Sequence, residues 1–174
     1  MPLWGQLDGS LDTERVTELE CVQSNLTNTF VASSMEYISS HPTAWNVERI
    51  LIHRSADFGA TWTLIDSIEV LPAEITMGDP ALTIDDSGNF YLVVMRMYSA
   101  YPSPYDIDLE LYKSVDDGQT WSFVSKPFIS NAEFSADYPK IVARGNGELY
   151  LTYSLIESNG GYESKVIFQK SMDG

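Results

Sequence analysis

The sequence has 174 residues, 44% hydrophobic and 20% charged, which is typical of one globular domain and not of a disordered chain. Its 25 acidic residues exceed its 10 lysines and arginines, and the net charge of −15 argues against nucleic acid and membrane surfaces as partners. One cysteine, Cys21, excludes an internal disulfide, and we expect it to be a small buried side chain. With two histidines, neither a metal site nor a cofactor is expected.

Short runs that alternate apolar and polar residues follow one another along the chain. They are rich in Val, Ile, Tyr, Phe and Thr, which suit a pleated, half-buried surface, and turn residues separate them at intervals of about ten residues. We therefore predict an all-β, antiparallel fold of short strands. In chain order, the predicted strands are 17–23, 28–37, 47–54, 61–69, 80–85, 89–97, 108–114, 120–127, 139–144, 148–155 and 164–170.

An octapeptide recurs in the sequence and indicates that the chain is built from repeats. It reads SADFGATW at 55–62 and SVDDGQTW at 114–121, and its first half returns as SMDG at 171–174. A second element recurs with almost the same period, so that Asp79 and Asp137 lie 58 residues apart. These spacings predict three successive units at about 10–70, 71–128 and 129–174, the last without its fourth strand.

The octapeptide has the composition of a tight turn between two strands. Its aspartate can accept hydrogen bonds from turn N–H groups, its glycine permits the positive φ that the turn needs, and its tryptophan buries a large ring beside the turn. We assign this structural role to Ser55, Asp57, Gly59, Thr61, Trp62, Ser114, Asp116, Gly118, Thr120, Trp121, Ser171 and Asp173. The alternative, that Asp57 and Asp116 are catalytic residues or calcium ligands, fits less well with one such aspartate in every repeat.

These octapeptides resemble the Asp-box repeats, also called BNR repeats, of sialidase-like β-propellers. The resemblance extends over nearly the whole chain and implies that each unit of about 58 residues is a four-stranded blade, with the Asp box between its third and fourth strands. The motif indicates fold and not function, because it also occurs in glycan-binding, photosystem-assembly, sorting-receptor and glycosidase propellers. Three blades do not close a ring. We expect the other blades from a longer parent chain, or from a second copy that completes a six-bladed ring.

Antiparallel topology places the longer loops, 38–46, 98–107 and 155–163, opposite the octapeptide turns. Long loops on a rigid scaffold commonly carry function, and aromatic rings beside polar groups suit sugars. The predicted ligand-binding residues are Trp45, Tyr98, Tyr101, Tyr105, Asp79 and Arg96, and Glu36, Asp137 and Tyr138 are further candidates at the central mouth. Two alternatives stay open: the tyrosines pack a proline-containing loop, and Arg96 forms a structural ion pair with Asp79.

The resemblance implies two functions of different kinds. Sialidases of this fold bind the substrate carboxylate with three arginines, and the Arg-Ile-Pro segment that supplies the first of them is absent here. Arg96 and Arg144 are usable, but two arginines are not a triad, so no catalytic residue is assigned. We expect a scaffold, or a carbohydrate- or protein-binding module, of a larger extracytoplasmic or secreted protein, although the chain shows no signal peptide. The alternative is part of a sialidase-type glycoside hydrolase whose remaining catalytic residues lie in other blades.

Overall fold

The computed structural model describes residues 16–37, 47–72, 74, 76–99, 106–131, 133–157 and 164–172. In that part of the chain, the secondary structure consists of eleven β-strands and one 3-10 turn at Gly145–Gly147. The strands are β1 (Val16–Gln23), β2 (Phe30–Tyr37), β3 (Val47–Ser55), β4 (Thr63–Glu69), β5 (Thr76–Ile84), β6 (Phe90–Ser99), β7 (Asp106–Ser114), β8 (Ser122–Phe128), β9 (Phe134–Arg144), β10 (Glu148–Glu157) and β11 (Ser164–Ser171). None of the described residues belongs to a helix of the length and apolar character that crossing a membrane requires.

The strands form three antiparallel sheets in which each strand pairs with its neighbour in the sequence. Sheet one contains β1 to β4, sheet two contains β5 to β8, and sheet three contains β9 to β11. A strand lies at each of the eleven predicted positions, and the all-β prediction is confirmed. Sheets one and two each have four strands, whereas the described part of sheet three has three.

β5 and β9 begin four and five residues earlier than predicted, at Thr76 and Phe134. Each of them runs through a proline, Pro80 in β5 and Pro139 in β9. Because proline has no N–H for the ladder of hydrogen bonds, a sequence pattern places it at the start of a strand. Here the pairing register shifts beside each proline, and this β-bulge lets the strand extend further back along the chain.

Sheet two is covered on both faces, which explains why β6 is apolar at consecutive positions. The even-numbered residues of Phe90–Met95 pack in one cluster with sheet one, where Ile50 is fully buried. The odd-numbered residues pack in a second cluster with sheet three, where Leu151 is buried. Successive side chains of a strand point to opposite faces, so a run of six apolar residues is buried throughout.

Cys21 is exposed, which contradicts the expectation of a buried side chain. It lies on β1, an edge strand of sheet one, and pairs with Ala32 of β2. Sheet two packs on the face of β2 that holds the neighbouring residue Val31. Cys21 is therefore on the face that points away from sheet two.

The two complete octapeptides form the turns from β3 to β4 and from β7 to β8, and we call them the octapeptide turns. In the first, the carboxylate of Asp57 accepts hydrogen bonds from the N–H of Thr61 at 2.8 Å and from its hydroxyl at 2.7 Å. The hydroxyl of Ser55 donates to the same carboxylate at 2.7 Å. The equivalent bonds to Asp116 in the second turn measure between 2.6 and 2.9 Å. This is the arrangement that the octapeptide sequence predicts.

Hydrogen bonds to the charged form lower the pKa of both carboxyls. The N–H and the hydroxyl of Thr61 lower the pKa of Asp57 to about 2. Partial burial opposes the ionisation of Asp116, but hydrogen bonds from Thr120 and Ser114 outweigh it and lower the pKa of Asp116 to about 2. At neutral pH both aspartates are therefore ionised acceptors within their own turns.

Each octapeptide turn contains two consecutive left-handed residues. Gly59 and Gly118 have φ values of +82° and +80°, and the residues before them, Phe58 and Asp117, have φ values of +58° and +62°. The glycine requirement was visible in the sequence, whereas the left-handed residue before it was not. In the third octapeptide, Asp173 lies outside the described residues.

Candidate functional site

The predicted ligand face is one end of the three sheets, which the antiparallel topology places opposite the octapeptide turns. The last residues of β2, β6 and β10 lie at this end, which we call the loop end, and the octapeptide turns lie at the other. Asp79, Arg96 and Tyr98 occupy strand segments near the loop end. Trp45, Tyr101 and Tyr105 lie outside the described residues.

Arg96 is buried in β6, and groups of the protein itself occupy its guanidinium. The Nε donates to Glu110 at 2.6 Å, and Nη1 donates to Glu74 at 2.6 Å and to the carbonyl of Glu69 at 2.9 Å. The Nη2 donates to the hydroxyl of Tyr112 at 2.9 Å. The side chain of Arg96 is 4% exposed, and those of Glu74 and Glu110 are 0% and 9% exposed. Each guanidinium nitrogen therefore has a partner within the chain.

This geometry does not fit the expectation that Arg96 contacts a ligand. It also corrects the partner in the alternative interpretation, because the paired carboxylates belong to Glu74 and Glu110 and not to Asp79. Glu74 lies in the connection between β4 and β5, so Arg96 ties the crossing from sheet one to the body of sheet two. The sequence offered no direct signal for this role, since the two carboxylates lie 22 and 14 residues away along the chain.

A second cation, Lys126 of β8, extends this ionic cluster. Its Nζ lies 2.7 Å from Asp108, 3.4 Å from Glu110 and 2.9 Å from the hydroxyl of Tyr98, and 5.1 Å from the centre of the Tyr98 ring. Burial alone would lower the pKa of Lys126, but its bonds to Asp108 and Tyr98 outweigh burial and raise it. Tyr98 thus packs against a charged pair of its own sheet, whereas the loop that the packing alternative concerned lies outside the described residues.

Arg96 and Tyr112 both keep their protons at neutral pH. Burial alone would lower the pKa of Arg96, but its contacts with Tyr112 and Glu110 outweigh burial and raise it. Burial raises the pKa of Tyr112 to about 12, so its hydroxyl stays protonated and donates to Glu110 at 2.7 Å. In Glu74, the carboxylate oxygen Oε1 is buried without a hydrogen-bond partner. Glu74 therefore depends on Arg96 for compensation of its charge, whereas Glu110 lies between Arg96 and Lys126.

Asp79 and Tyr138 occupy matching β-bulges in the first strands of sheets two and three. Their φ values are +44° and +52°, although neither is a glycine and both lie inside strands. Each precedes a proline, Pro80 or Pro139, and the residue before a proline normally has an extended backbone. A left-handed conformation costs such residues about 1–2 kcal/mol. Backbone strain of this kind is concentrated at functional sites, so these positions are the better candidates for ligand contact.

The pairing register makes Asp79 equivalent to Tyr138, and not to Asp137 as the sequence repeat suggested. Gly78 and Asp137 are the paired residues that precede the two register shifts. The distance from Asp79 to Tyr138 is 59 residues, which is also the distance between the two octapeptide turns. Asp79 and Tyr138 each directly precede a proline, and this repeated position is the signal in the sequence that could have identified them as equivalent.

The first strands of the three sheets contact one another and form an inner layer, which contains both bulges. β5 contacts both β1 and β9. The Nζ of Lys140 in β9 lies 2.6 Å from the carboxylate of Glu20 in β1, so sheets one and three also meet directly. Tyr138 is 65% exposed and Asp79 is half-buried. Of the other mouth candidates, Glu36 forms an ion pair with Arg49 of the neighbouring strand, and Asp137 accepts the N–H of Tyr138 at 3.0 Å.

Several solved structures share this arrangement of sheets. A protein from Dyadobacter fermentans is 16% identical with a TM-score of 0.72, and the match covers 91% of this chain and 48% of that one. An α-L-arabinanase from Penicillium chrysogenum, complexed with arabinobiose, is 22% identical with a TM-score of 0.62, over 92% and 47%. The Hadza microbial sialidase Hz136 is 18% identical with a TM-score of 0.65, over 89% and 35%. No protein-family model and no curated protein matches the sequence.

These similarities show the fold. The three sheets are blades of a β-propeller of the kind found in the sialidase and the arabinanase. The chain spans about half or less of the length of each of these structures. At this level of identity the similarity does not carry an activity or a substrate from those proteins to this one.

Proposed function

We propose that this chain is part of a carbohydrate-directed β-propeller in which sheets one and two act mainly as a scaffold. In this proposal the octapeptide turns are structural Asp boxes, and a larger, extracytoplasmic parent protein supplies the other blades. The likeness to a sialidase and to an arabinanase that holds arabinobiose supports a carbohydrate as the ligand. The ligand contacts come from the bulged inner strands and the loop end beside them.

The observation that carries this proposal is the pair of strained bulges at Asp79 and Tyr138. A carboxylate accepts hydrogen bonds from sugar hydroxyls, and an exposed tyrosine ring offers an apolar face to the C–H groups of a sugar. Repetition of the bulge in two neighbouring blades places one group of each kind at corresponding positions of the inner layer. Strain at both positions is explained if their side chains must be presented in this way.

The catalytic alternative is part of a sialidase-type hydrolase. Such a site needs several arginines that are free to bind the carboxylate of the substrate. Arg96 is bound instead by Glu74 and Glu110, which favours a scaffold or binding role for the described blades. If the parent protein is a hydrolase, its catalytic residues lie mostly in other blades.

The proposal is tested with the intact chain on a glycan array that includes arabino-oligosaccharides and sialosides, followed by calorimetry on the best ligand. We expect Asp79→Asn to weaken binding about 10- to 100-fold, because a hydrogen bond to a charged group contributes about 1.5–3 kcal/mol. Tyr138→Asn should weaken binding about 2- to 10-fold, because it removes the aromatic face that packs against the sugar. Asn tolerates a left-handed backbone, so the first variant keeps the bulge. The matched control is Phe58→Ala, at the opposite end of the sheets, which should bind normally.

Two outcomes would contradict the proposal. One is the absence of any saccharide binding by a folded chain, and the other is binding that Phe58→Ala weakens and the two bulge variants do not. Turnover of a fluorogenic sialoside by the chain would instead favour the hydrolase alternative.

A further inference from the structure

The β-bulge of sheets two and three is repeated in sheet one. The pairing of β1 with β2 shifts between Thr17 and Glu20, across which β1 advances by three residues and β2 by two. Glu18 and Leu19 therefore lie inside a bulge. The register shifts of β5 and β9 have the same form, with one extra residue on the first strand of the sheet.

The three bulges occupy the same position in their sheets. In each sheet one residue of the second strand pairs with the serine that opens the octapeptide, and these residues are Phe30, Phe90 and Leu149. Each bulge ends opposite the residue three places further along the second strand, and these residues are Ser33, Val93 and Thr152. Glu18 therefore holds the place in sheet one that Asp79 holds in sheet two and Tyr138 holds in sheet three.

The sequence pattern does not reveal this third position, because Leu19 follows Glu18 where a proline follows Asp79 and Tyr138. Without a proline, the segment VTELECVQ has the pattern of an uninterrupted strand. Only the pairing of β1 with β2 shows the extra residue.

An ion pair joins sheets one and three just beyond their bulges. Glu20 and Lys140, whose carboxylate and Nζ lie 2.6 Å apart, each follow the bulge residue of their own strand by two positions. The backbones of β1 and β9 are therefore within reach of a single ion pair at this level, and β5 contacts both strands. The equivalent positions of the three sheets thus lie at one level of the inner layer.

These positions are acidic in two of the three sheets, and several cations of the neighbouring strand segments are already paired. Lys140 contacts Glu20 of sheet one. The other paired cations contact carboxylates of their own sheets, and they are Arg49, Arg96 and Lys126. An anionic saccharide at this level would meet the negative charges of Glu18 and Asp79, whereas a hydroxyl of an uncharged saccharide would find hydrogen-bond acceptors.

We propose, on the basis of the function proposed above, that Glu18 is a third residue of the ligand site and that this site takes an uncharged saccharide. Glu18 and Asp79 accept hydrogen bonds from sugar hydroxyls, and Tyr138 packs against sugar C–H groups. The two acidic residues disfavour a sialoside or a uronide through repulsion between like charges, and a site gains specificity in this way.

The test uses the intact chain with uncharged and anionic saccharides. The uncharged probes are arabinobiose, galactobiose and lactose, and the anionic probes are digalacturonate and sialyllactose. We expect calorimetry to show saturable binding of at least one uncharged probe, and binding of both anionic probes that is weaker by about 10-fold or more. An increase in salt from about 0.02 M to about 0.5 M should narrow this difference, because salt screens the repulsion.

Glu18→Gln removes the negative charge and keeps the size of the side chain. This variant should bind the uncharged probe about 10-fold more weakly, because a carboxylate is the stronger acceptor, and the difference between uncharged and anionic probes should become smaller. A residue that only stabilised the strand would leave this difference unchanged. The matched control is Glu148→Gln, which makes the same change of charge at the opposite end of the sheets, where Glu148 pairs with Lys170 at 3.0 Å. It should bind all probes as the unmodified chain does.

The outcomes separate this inference from the function on which it rests. If a folded chain binds none of the probes, both fail. If binding depends on Asp79 but is the same in Glu18→Gln, or if an anionic probe binds as tightly as the uncharged ones, the proposed function stands and this inference is wrong. If Glu18→Gln does not fold, the salt dependence of the unmodified chain decides, and a difference between the probes that salt does not narrow would overturn the inference.

Discussion

Replacement of Arg96 by methionine tests whether this arginine belongs to the framework or to a ligand site. Methionine keeps much of the length of the side chain but removes all the guanidinium donors. Glu74, whose side chain is fully buried, would lose its cation, and Glu110, which is 9% exposed, would keep only Lys126 at 3.4 Å. Oε1 of Glu74 already lacks a hydrogen-bond partner, so no further donor beside it would replace the contact with Arg96.

Removal of one partner from a buried ion pair costs about 3–5 kcal/mol, since the remaining charge stays buried without compensation. In a domain of this size, about 1 kcal/mol shifts the unfolding temperature by about 2–4 °C, so we expect a fall of about 6–20 °C. The assay is urea unfolding followed by tryptophan fluorescence, together with calorimetry. The double variant Arg96→Met/Glu110→Met should lose less stability than the two single variants added together, because it removes one of the buried charges.

The control is Arg144→Met, which removes an arginine with an exposed side chain at the end of β9. This change should lie within about 0.5 kcal/mol of the unmodified protein. The reasoning is refuted if Arg96→Met unfolds at the same urea concentration as Arg144→Met. Loss of saccharide binding at unchanged stability would show in addition that Arg96 is a ligand residue.

Three further predictions concern the octapeptide turns. The pKa of Asp57 and of Asp116 is about 2 in the folded protein and 3.8 ordinarily, so the folded state binds fewer protons than the unfolded state. The free energy of unfolding should therefore fall as the pH drops from about 4 to about 2. In the double variant Asp57→Asn/Asp116→Asn, urea unfolding should show a weaker dependence on pH. Trp62→Phe should lower the free energy of unfolding by about 1 kcal/mol more than Trp121→Phe does. The reason is that Nε1 of Trp62 donates to the carbonyl of Gly59 at 3.0 Å, whereas Nε1 of Trp121 is buried without a partner. Equal losses would contradict this prediction. Asp117→Asn should cost about 1–3 kcal/mol in urea unfolding, because the carboxylate of Asp117 accepts hydrogen bonds from Thr29 at 2.5 Å and from Arg54 at 2.7 Å in the neighbouring sheet. An unchanged midpoint would show that these contacts contribute nothing to stability.

The sequence predicts the strands well because several local signals agree. The alternation of period two marks each strand, and the octapeptides mark the turns from β3 to β4 and from β7 to β8. The failures at the starts of β5 and β9 have one cause. A proline within a strand is tolerated on an edge strand or at a bulge, and both conditions depend on strand pairing that a local pattern does not contain.

The candidate site is less predictable because it depends on contacts between distant segments. The burial of Arg96 requires Glu74 from a connection and Glu110 from the next strand, and their approach follows from register and loop length. The strain at Asp79 and Tyr138 is likewise a property of the pairing and not of either residue. Composition could therefore indicate the polar residues near the mouth, but it could not separate framework residues from those that are available to a ligand.

The two octapeptide turns are alike in sequence but differ in their contacts with a neighbouring sheet. The second turn contacts sheet one: the Nε of Arg54 in β3 donates to the carbonyl of Asp117 at 2.7 Å. A Cβ atom at Gly118 would lie 2.6 Å from a methyl carbon of Val31, which is fully buried in sheet one. A Cβ atom at Gly59 would meet only the ring of Trp62 in its own turn, at 3.8 Å.

Alanine at these two glycines therefore separates the conformation of the turn from the packing of the sheets. Both glycines have φ close to +80°, so each substitution should cost about 1–2 kcal/mol through the left-handed backbone. Gly118→Ala should cost about 1–3 kcal/mol more than Gly59→Ala, since the added methyl group overpacks the contact with Val31. The comparison is made by urea unfolding, and Gly118→Ala/Val31→Ala should recover part of the extra loss. Equal losses for the two single variants would mean that the close approach of Gly118 to Val31 adds nothing to the cost of the left-handed conformation.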